Sequence, residues 1–329
     1  MGGFERLEKA LAEIKANFKD ESVLIGNEIP NVERIPTGSI GLDYVTGGGY
    51  PVGRFIEIYS PESGGKTTVC IHAMVEAQKK YKDKRVLFVD FEHSFDRYYA
   101  QALGLDLDNL VFVQPNSGEN GFNMIETIVK SGQISLVIVD SIAAATPQSE
   151  IEGDVGDSNV GKHARMMSQI CRKLTAVCNN MNTTMIFINQ LREKIGIMYG
   201  DSTTTTGGNA MKFYASVRLK FTKKKGSGTD DDGNLNNIIV KAKAEKNKVA
   251  PPFRECEYDI LFGKGIDKAS EVLHYAVELG LVKRGGSWFS YGDTKLGQGA
   301  ETVKGLLRDN PELMEEIETN IRCELFKNK

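Results

Sequence analysis

The sequence predicts an α/β protein: a mostly parallel central sheet flanked by helices, with an N-terminal helix before it and a small α+β domain after it. Three observations predict this. From about residue 35, short apolar runs alternate with stretches of helical period, the pattern of strands joined by crossover helices. The runs are apolar almost throughout, as parallel strands covered on both faces must be. After Gly263-Lys264-Gly265 the texture changes to helices around a short turn-rich segment.

In chain order, Phe4, Leu7, Leu11, Ile14 and Phe18 recur at helical spacing and predict an amphipathic helix. A Gly/Pro/Asn-rich connector, Gly26 to Pro30, follows. Phe55–Tyr59, Arg85–Val89, Leu110–Val113, Leu136–Val139 and Thr184–Ile188 read as buried strands. Lys66–Tyr81, Tyr98–Leu103, Gly121–Ser131 and Lys162–Asn180 read as the helices between them. Ser216–Thr222 and Leu235–Ala244 are strand-like, joined through KKKGSGTDDDGN, a solvated hairpin loop. A helix over Ser270–Leu279 stops at Gly280, and Ser287 to Asp293 suits a hairpin with a Gly-Asp turn. Two helices close the chain. The last starts at Asn310-Pro311, a cap followed by proline at the first helical position. The expected division is 1–32, an N-terminal oligomerisation segment; 33–264, the core; and 265–329, a C-terminal domain.

Composition narrows the function classes. The chain has 329 residues, 40% hydrophobic and 26% charged, ordinary for a globular protein. No apolar run approaches the roughly 20 residues of a membrane helix. The charged N-terminus is not a signal peptide, and Arg6 stands where a myristoylation motif needs Ser or Thr. A net charge of −3 excludes a whole-chain basic signature, so any nucleic-acid surface must be local. Cys70, Cys171, Cys178, Cys256 and Cys323 are scattered without C-x-x-C spacing. That suits a reducing cytoplasm and buried thiols rather than zinc or disulfides.

Ser60 to Thr68 read SPESGGKTT, between a buried strand and a helix. This is the setting of a phosphate-binding P-loop, G-x-x-x-x-G-K-[ST], except that Ser60 replaces the leading glycine. Pro61, Glu62, Ser63, Gly64, Gly65, Lys66, Thr67 and Thr68 then form a nucleotide site. Gly64 and Gly65 leave the backbone N–H groups open to the phosphates. Lys66 supplies the point charge and Thr67 a hydroxyl for Mg²⁺. Ser60 is expected to close the turn away from the anion. Leu136-Val137-Ile138-Val139-Asp140 is an apolar strand ending in acid. Alone, Asp140 is more often a cap or strand terminus; with the P-loop it fits a carboxylate for Mg²⁺. Val86 to Glu92 is a second strand ending in acid. A carboxylate at the carboxyl end of a parallel strand points into the ligand crevice, and Glu92 is the candidate general base for ATP hydrolysis. His93 is its neighbouring rival, although a lone histidine is more often structural.

Leu191 to Thr206 lacks any helix or strand period, and loops of such length are usually functional or disordered. It carries Arg192, Lys194, Ile195 and a threonine run ending in Gly207-Gly208-Asn209. Its amides and hydroxyls can hold phosphates, and Ile195 can wedge between bases. Glu152 to Gly161 is a second Gly/acid-rich loop.

The segments PESGGKTT, DFEHSFD, VIVDSIAAATP, EIEGDVGDS, ARMMSQICRKL, IFINQLREKIGIMYG, TTTTGGNAMKFYASVRL, KNKVAPPF and GQGAETVKGLLRDNPE together resemble the bacterial RecA recombinases, from residue 1 to about 325. The resemblance implies a RecA-like P-loop NTPase core and an ATP- and Mg²⁺-dependent DNA strand-exchange protein of DNA repair, recombination and the SOS response, in the cytoplasm. It implies a helical homo-oligomer on single-stranded DNA that pairs it with homologous duplex DNA. Glu92 matches the catalytic glutamate, with Lys66 and Gln190 as catalytic partners, Gln190 matching the sensor of the γ-phosphate. Asp96 and Tyr99 match adenine contacts. Lys246 and Lys248 match lysines that reach the ATP of the neighbouring subunit. Val160, Arg165, Ser168, Arg172, Arg192, Lys194, Ile195, Gly196, Thr206, Gly207, Gly208 and Asn209 match DNA-binding positions. There are departures. Gly64 stands where serine is usual, and Val160 and Glu193 stand where methionine is usual. Lys329 ends the chain without the family's autoinhibitory acidic tail, from which easier DNA loading is expected.

Overall fold

The computed structural model describes residues 3–18, 26, 31–154, 159, 161–193, 203–226, 228 and 236–327. The segment Met1–Glu33 is a unit of its own, built on helix α1 (Gly3–Phe18). The apolar spacing at positions 4, 7, 11 and 14 puts these residues on one face.

The second unit, Arg34–Lys329, opens with β1 (Arg34–Ile35), α2 (Ile40–Thr46) and β2 (Tyr50–Pro51). The sequence reading passed over α2, which is short but capped at both ends. The Ser39 side chain accepts from the Leu42 N–H, and Gly47 closes the helix at φ 87°. There follow β3 (Phe55–Ser60), α3 (Lys66–Lys80), β4 (Arg85–Asp90), α4 (Arg97–Ala102), β5 (Leu110–Val113), α5 (Gly118–Val129) and β6 (Ile134–Asp140). Next come α6 (Gln148–Ile151), α7 (Lys162–Asn180), β7 (Thr184–Glu193), β8 (Thr203–Thr205), α8 (Ala210–Tyr214) and β9 (Val217–Lys225). Then come β10 (Asn237–Asn247), β11 (Glu255–Leu261) and β12 (Gly265–Ile266). The C-terminal stretch holds α9 (Lys268–Glu278), β13 (Val282–Gly285), β14 (Trp288–Tyr291), β15 (Thr294–Gln298), α10 (Ala300–Asp309) and α11 (Pro311–Phe326).

Among the described residues, the main sheet runs β12-β11-β10-β9-β3-β7-β6-β4-β5, with β8 paired to β7. From β9 to β5 every neighbouring pair is parallel; β10, β11 and β12 extend the sheet antiparallel. Alternate residues of each parallel strand face opposite layers. Ile56, Ile58, Val86, Phe88, Ile138 and Ile186 join α3 in one apolar cluster. Phe55, Leu87, Val89, Val137, Val139 and Phe187 join α5 and α7 in another. The α/β architecture with a mostly parallel sheet is the one the sequence predicts.

Three local readings change, and a fourth gains a strand. Strand β11 was not foreseen, although Cys256, Tyr258 and Ile260 are buried at period two. The hairpin with a Gly292-Asp293 turn expected around Ser287 to Asp293 is present as β14–β15, and β13 adds a third strand to it. Both ends of the predicted loop Leu191–Thr206 are paired, with Leu191 opposite Thr205 and Arg192 opposite Thr204. Cys323 is exposed, whereas the other four thiols are buried as expected.

A third apolar cluster joins α9, α10, α11 and β13–β15, including Val272, Phe289, Val303 and Ile321. Ile40 of α2 belongs to it, so α2 is the joint between this region and the main sheet. The joint is polar at its centre. Glu271 Oε1 accepts from Ser39 Oγ at 2.6 Å and from the Gly41 N–H at 3.1 Å. Arg322 of α11 donates to buried Asp43 at 2.7 Å.

Candidate active site

Strands β3, β7, β6 and β4 lie side by side and parallel, so their carboxyl ends share one edge of the sheet. Register places Ser60 beside Gln190 and Asp90 beside Asp140. At this edge opens a cleft of about 550 Å³. Glu62, Ser63, Gly64, Gly65, Lys66, Thr67, Thr68, Glu92, Tyr99, Asp140 and Gln190 all line it, so most of the predicted nucleotide and catalytic residues meet in one place. Its far wall, which the sequence reading missed, comes from Ile260, Leu261, Phe262 and Gly263 around the end of β11.

The loop from β3 to α3 turns through left-handed residues, Ser63 at φ 54° and Gly65 at φ 77°. The left-handed φ of Gly65 favours glycine there, and a Cβ would also lie 2.4 Å from Ile260 Cδ1, which would have to shift. Gly65 caps α3 without a side-chain hydrogen bond, which leaves the first-turn N–H groups for an anion. Lys66 Nζ donates to Ser60 Oγ at 3.0 Å and to the Pro61 carbonyl at 3.1 Å. Ser60 closes the strand end, and its hydroxyl also touches the phosphate lysine, a contact the sequence reading did not anticipate. Burial, the largest influence, lowers the Lys66 pKa, opposed by Asp140 and Glu92.

Thr67 Oγ1 donates to Asp140 Oδ2 at 2.8 Å. Asp140 is buried, and desolvation pushes its pKa up to about 6; the Thr67 hydrogen bond opposes this, and nearby Glu92 and Asp90 reinforce it. A hydroxyl and a carboxylate side by side, with the carboxylate short of positive charge, fit Mg²⁺. That ion keeps several waters and takes only one or two protein oxygens. Among the described residues no three His, Cys, Asp or Glu side chains gather as a metal cage.

Glu92 lies just past β4. Its carboxylate accepts from Ser141 Oγ and, at 3.0 Å, from Gln190 Nε2. Ser141 was not foreseen, because nothing in its local sequence announces a partner 49 positions away. His93, the rival base, has φ 55° and does not line the cleft. Tyr99 lines the cleft and shares a 3.0 Å hydrogen bond with Thr68 Oγ1. Asp96 caps α4, accepting from the Tyr98 and Tyr99 N–H groups at 2.9 and 3.0 Å. Pro61 contributes its carbonyl. Lys246 and Lys248 are placed elsewhere: Lys246 Nζ holds the Lys212 and Phe213 carbonyls at the end of α8, and neither lysine lines this cleft.

A buried chain of hydrogen bonds leads from the cleft. Asn189 Oδ1 accepts from the Gln190 N–H at 2.8 Å, and Asn189 Nδ2 donates to buried Glu57 at 2.8 Å and to the Thr206 carbonyl at 2.9 Å. Glu57 is also ion-paired with Arg218. Gly207 and Gly208, next in sequence to Thr206, are left-handed at φ 90° and 70°. A Cβ on Gly208 would lie 2.9 Å from Ala164 Cβ, so this turn sits on the first turn of α7. Arg165 and Arg172 are exposed on α7 at heptad spacing, hence on one face, with Ser168 between them. Arg192 is exposed on β7, and Asn209 is exposed at the start of α8. The structure thus sets Gly207 and Gly208 against His163, Ala164 and Met167 at the start of α7, the helix that carries Arg165. Val160, Lys194, Ile195 and Gly196 lie outside the described residues.

Comparison with known proteins agrees with this geometry. Residues 5–267 match the family model for the RecA N-terminal domain, and residues 270–325 match that for the RecA C-terminal domain. The chain is 52% identical over 316 residues to Protein RecA of Bacteroides thetaiotaomicron, covering 95% of this chain and 94% of that one. It is 49% identical over 328 residues to Protein RecA of Porphyromonas gingivalis strain W83, covering 99% and 95%. It is 50% identical over 321 residues to Protein RecA of Cereibacter sphaeroides, covering 96% and 92%.

Proposed function

The chain belongs to the RecA family, and from that premise we propose how its own residues carry the family's work. It is a DNA-dependent ATPase that forms helical filaments on single-stranded DNA and catalyses homologous pairing and strand exchange in recombination and repair. In our assignment the β3–α3 loop wraps the ATP phosphates with backbone N–H groups, Lys66 neutralises the β/γ end, and Tyr99 packs at the base. Thr67 and Asp140 would hold Mg²⁺, which would supply positive charge against the transferring phosphoryl group. Glu92 takes the proton from the attacking water.

The observation that carries this reading is the Glu92–Gln190 hydrogen bond of 3.0 Å at the mouth of a cleft that also holds Lys66 and the Thr67–Asp140 pair. Gln190 donates to Glu92 in this structure. A γ-phosphate offers the same amide a stronger acceptor, and its turning frees the carboxylate for water. The Asn189–Thr206 bonds join Gln190 to the turn Gly207–Asn209, which supports a link between nucleotide and DNA. Lys246 and Lys248 act on the ATP of the next protomer; their distance from this chain's own cleft is compatible with that. The division at 1–32, 33–264 and 265–329 is supported by the separate apolar cluster of α9–α11 and by the change of family model between residues 267 and 270. The five unpaired thiols support a cytoplasmic location.

The test is Glu92→Gln. ATP turnover on single-stranded DNA should fall about 10²- to 10⁴-fold, while nucleotide binding and filaments persist. Normal hydrolysis by that variant refutes Glu92 as the base. A wild-type chain that coats DNA without DNA-stimulated turnover refutes the enzymatic reading, and closed rings in place of filaments on electron micrographs refute the recombinase assembly.

A further inference from the structure

We infer that Ser60 and Gly64 form one coupled unit, in which Ser60 positions the phosphate lysine and Gly64 is the residue that makes room for it. The inference rests on the cleft being the ATP site.

Ser60 is the last residue of β3 and fully buried. Its hydroxyl donates to the Pro61 carbonyl at 2.6 Å and accepts from Lys66 Nζ at 3.0 Å. Lys66 also donates to that same carbonyl at 3.1 Å. An ammonium group has three donors. Two are fixed by the strand end, and the third is left for a phosphate oxygen. Pre-orientation of this kind lowers the ordering cost of binding.

Gly64 is a different kind of glycine from Gly65. The residues on either side of it, Ser63 and Gly65, are left-handed, but Gly64 is not. Its dihedrals therefore admit any side chain, and space alone excludes one. A Cβ on Gly64 would lie 2.2 Å from Ser60 Oγ, 2.8 Å from Ser60 Cβ and 3.3 Å from the Pro61 carbonyl oxygen. The hydroxyl can rotate away. The Ser60 Cβ cannot, because β3 is held in register between β7 and β9, with Ser60 itself opposite Gln190. A P-loop with the usual leading glycine has no such atoms at this place. The missing glycine is thus not a weakened motif: the residue that replaces it contacts the lysine, and position 64 accommodates it.

Four variants test this: Ser60→Gly, Gly64→Ser, the double variant, and Ser60→Ala. Each is read by thermal unfolding without nucleotide, by binding of a fluorescent ATP analogue, and by steady-state ATPase on single-stranded DNA. Gly64→Ser alone should lower the melting temperature and weaken nucleotide binding about tenfold or more. The same change on a Ser60→Gly background should cost little, with binding within about threefold of the Ser60→Gly single variant. Ser60→Ala keeps the bulk and loses the hydroxyl. It should raise the KM for ATP about three- to tenfold with a much smaller change in kcat. The inference is overturned by Gly64→Ser being equally harmful in both backgrounds, or by Ser60→Ala binding ATP as wild type does. A wild-type chain that bound no ATP would sink the assignment of the cleft instead, and melting without nucleotide would still decide the coupling.

Discussion

Asp140 in the cleft and Asp43 at the C-terminal joint are both buried carboxylates, and desolvation raises the pKa of each. Their surroundings differ. Asp43 has its own cation, the Arg322 guanidinium at 2.7 Å, and the Thr37 N–H at 2.8 Å. Asp140 has the Thr67 hydroxyl at 2.8 Å; Glu92 and Asp90 add negative charge nearby, and the Lys66 ammonium, bonded to Ser60 and Pro61 instead, offsets only part of it. At the joint, Asp43 has its buried charge satisfied within the fold. The cleft leaves one short of positive charge, and a bound cation or protonation must make up the difference. The difference separates a site that awaits a ligand from one that does not.

The largest expected effect breaks the self-sufficient region. Arg322→Ala leaves Asp43 buried without its cation and also removes one of the two cations of Glu318, which lies 2.9 Å from Arg322 Nε and keeps Lys268. Urea unfolding should show a loss of about 3 to 5 kcal/mol. A loss well under 1 kcal/mol means that the joint does not depend on the pair.

Glu271, the second acid of the joint, sharpens the comparison through pH. Burial pushes its pKa up to about 7, against the hydrogen bonds from Ser39 and Gly41 that lower it. The folded state then binds this proton more tightly than the unfolded chain does. Its contribution is complete below pH of about 4.5 and is lost as pH climbs through about 7. Glu271→Gln keeps an acceptor for Ser39 and removes the titration. Stability between those pH values should become flatter, and at pH 8 the variant should exceed wild type by up to about 3 kcal/mol. An unchanged slope contradicts the shift.

Much of the cleft was legible in the sequence because its residues sit at the ends of strands with strong local patterns. An apolar run that stops at Asp140, another that stops before Glu92, and glycines before Lys66 each announce a strand end, and parallel pairing brings such ends together. What could not be read depends on distant pairing. Arg322 meets Asp43 across 279 positions and Glu271 meets Ser39 across 232, and neither segment carries a local mark of the other. The cleft wall at Ile260 to Gly263 required knowing that β11 extends the sheet. The contact of Ser60 with Lys66 was not legible because the pattern names a glycine there and is silent on what a hydroxyl does. Strand β11 had its signal, the period-two burial of Cys256, Tyr258 and Ile260, but intervening charged residues disguised it.

The smallest expected change in the unliganded protein is also the most telling. Asp140→Asn removes a buried charge that makes no ion pair among the described residues, while keeping an acceptor for Thr67. Thermal unfolding, with and without Mg·ATP at about one hundred times its Kd, reads both halves of the account. Without ligand the variant should be more stable than wild type by about 1 to 2 kcal/mol. With Mg·ATP, wild type should gain about 2.7 kcal/mol and the variant only a small part of that. A variant that is destabilised without ligand, or that keeps the full Mg·ATP gain, contradicts the claim that the cleft leaves Asp140 for a bound cation.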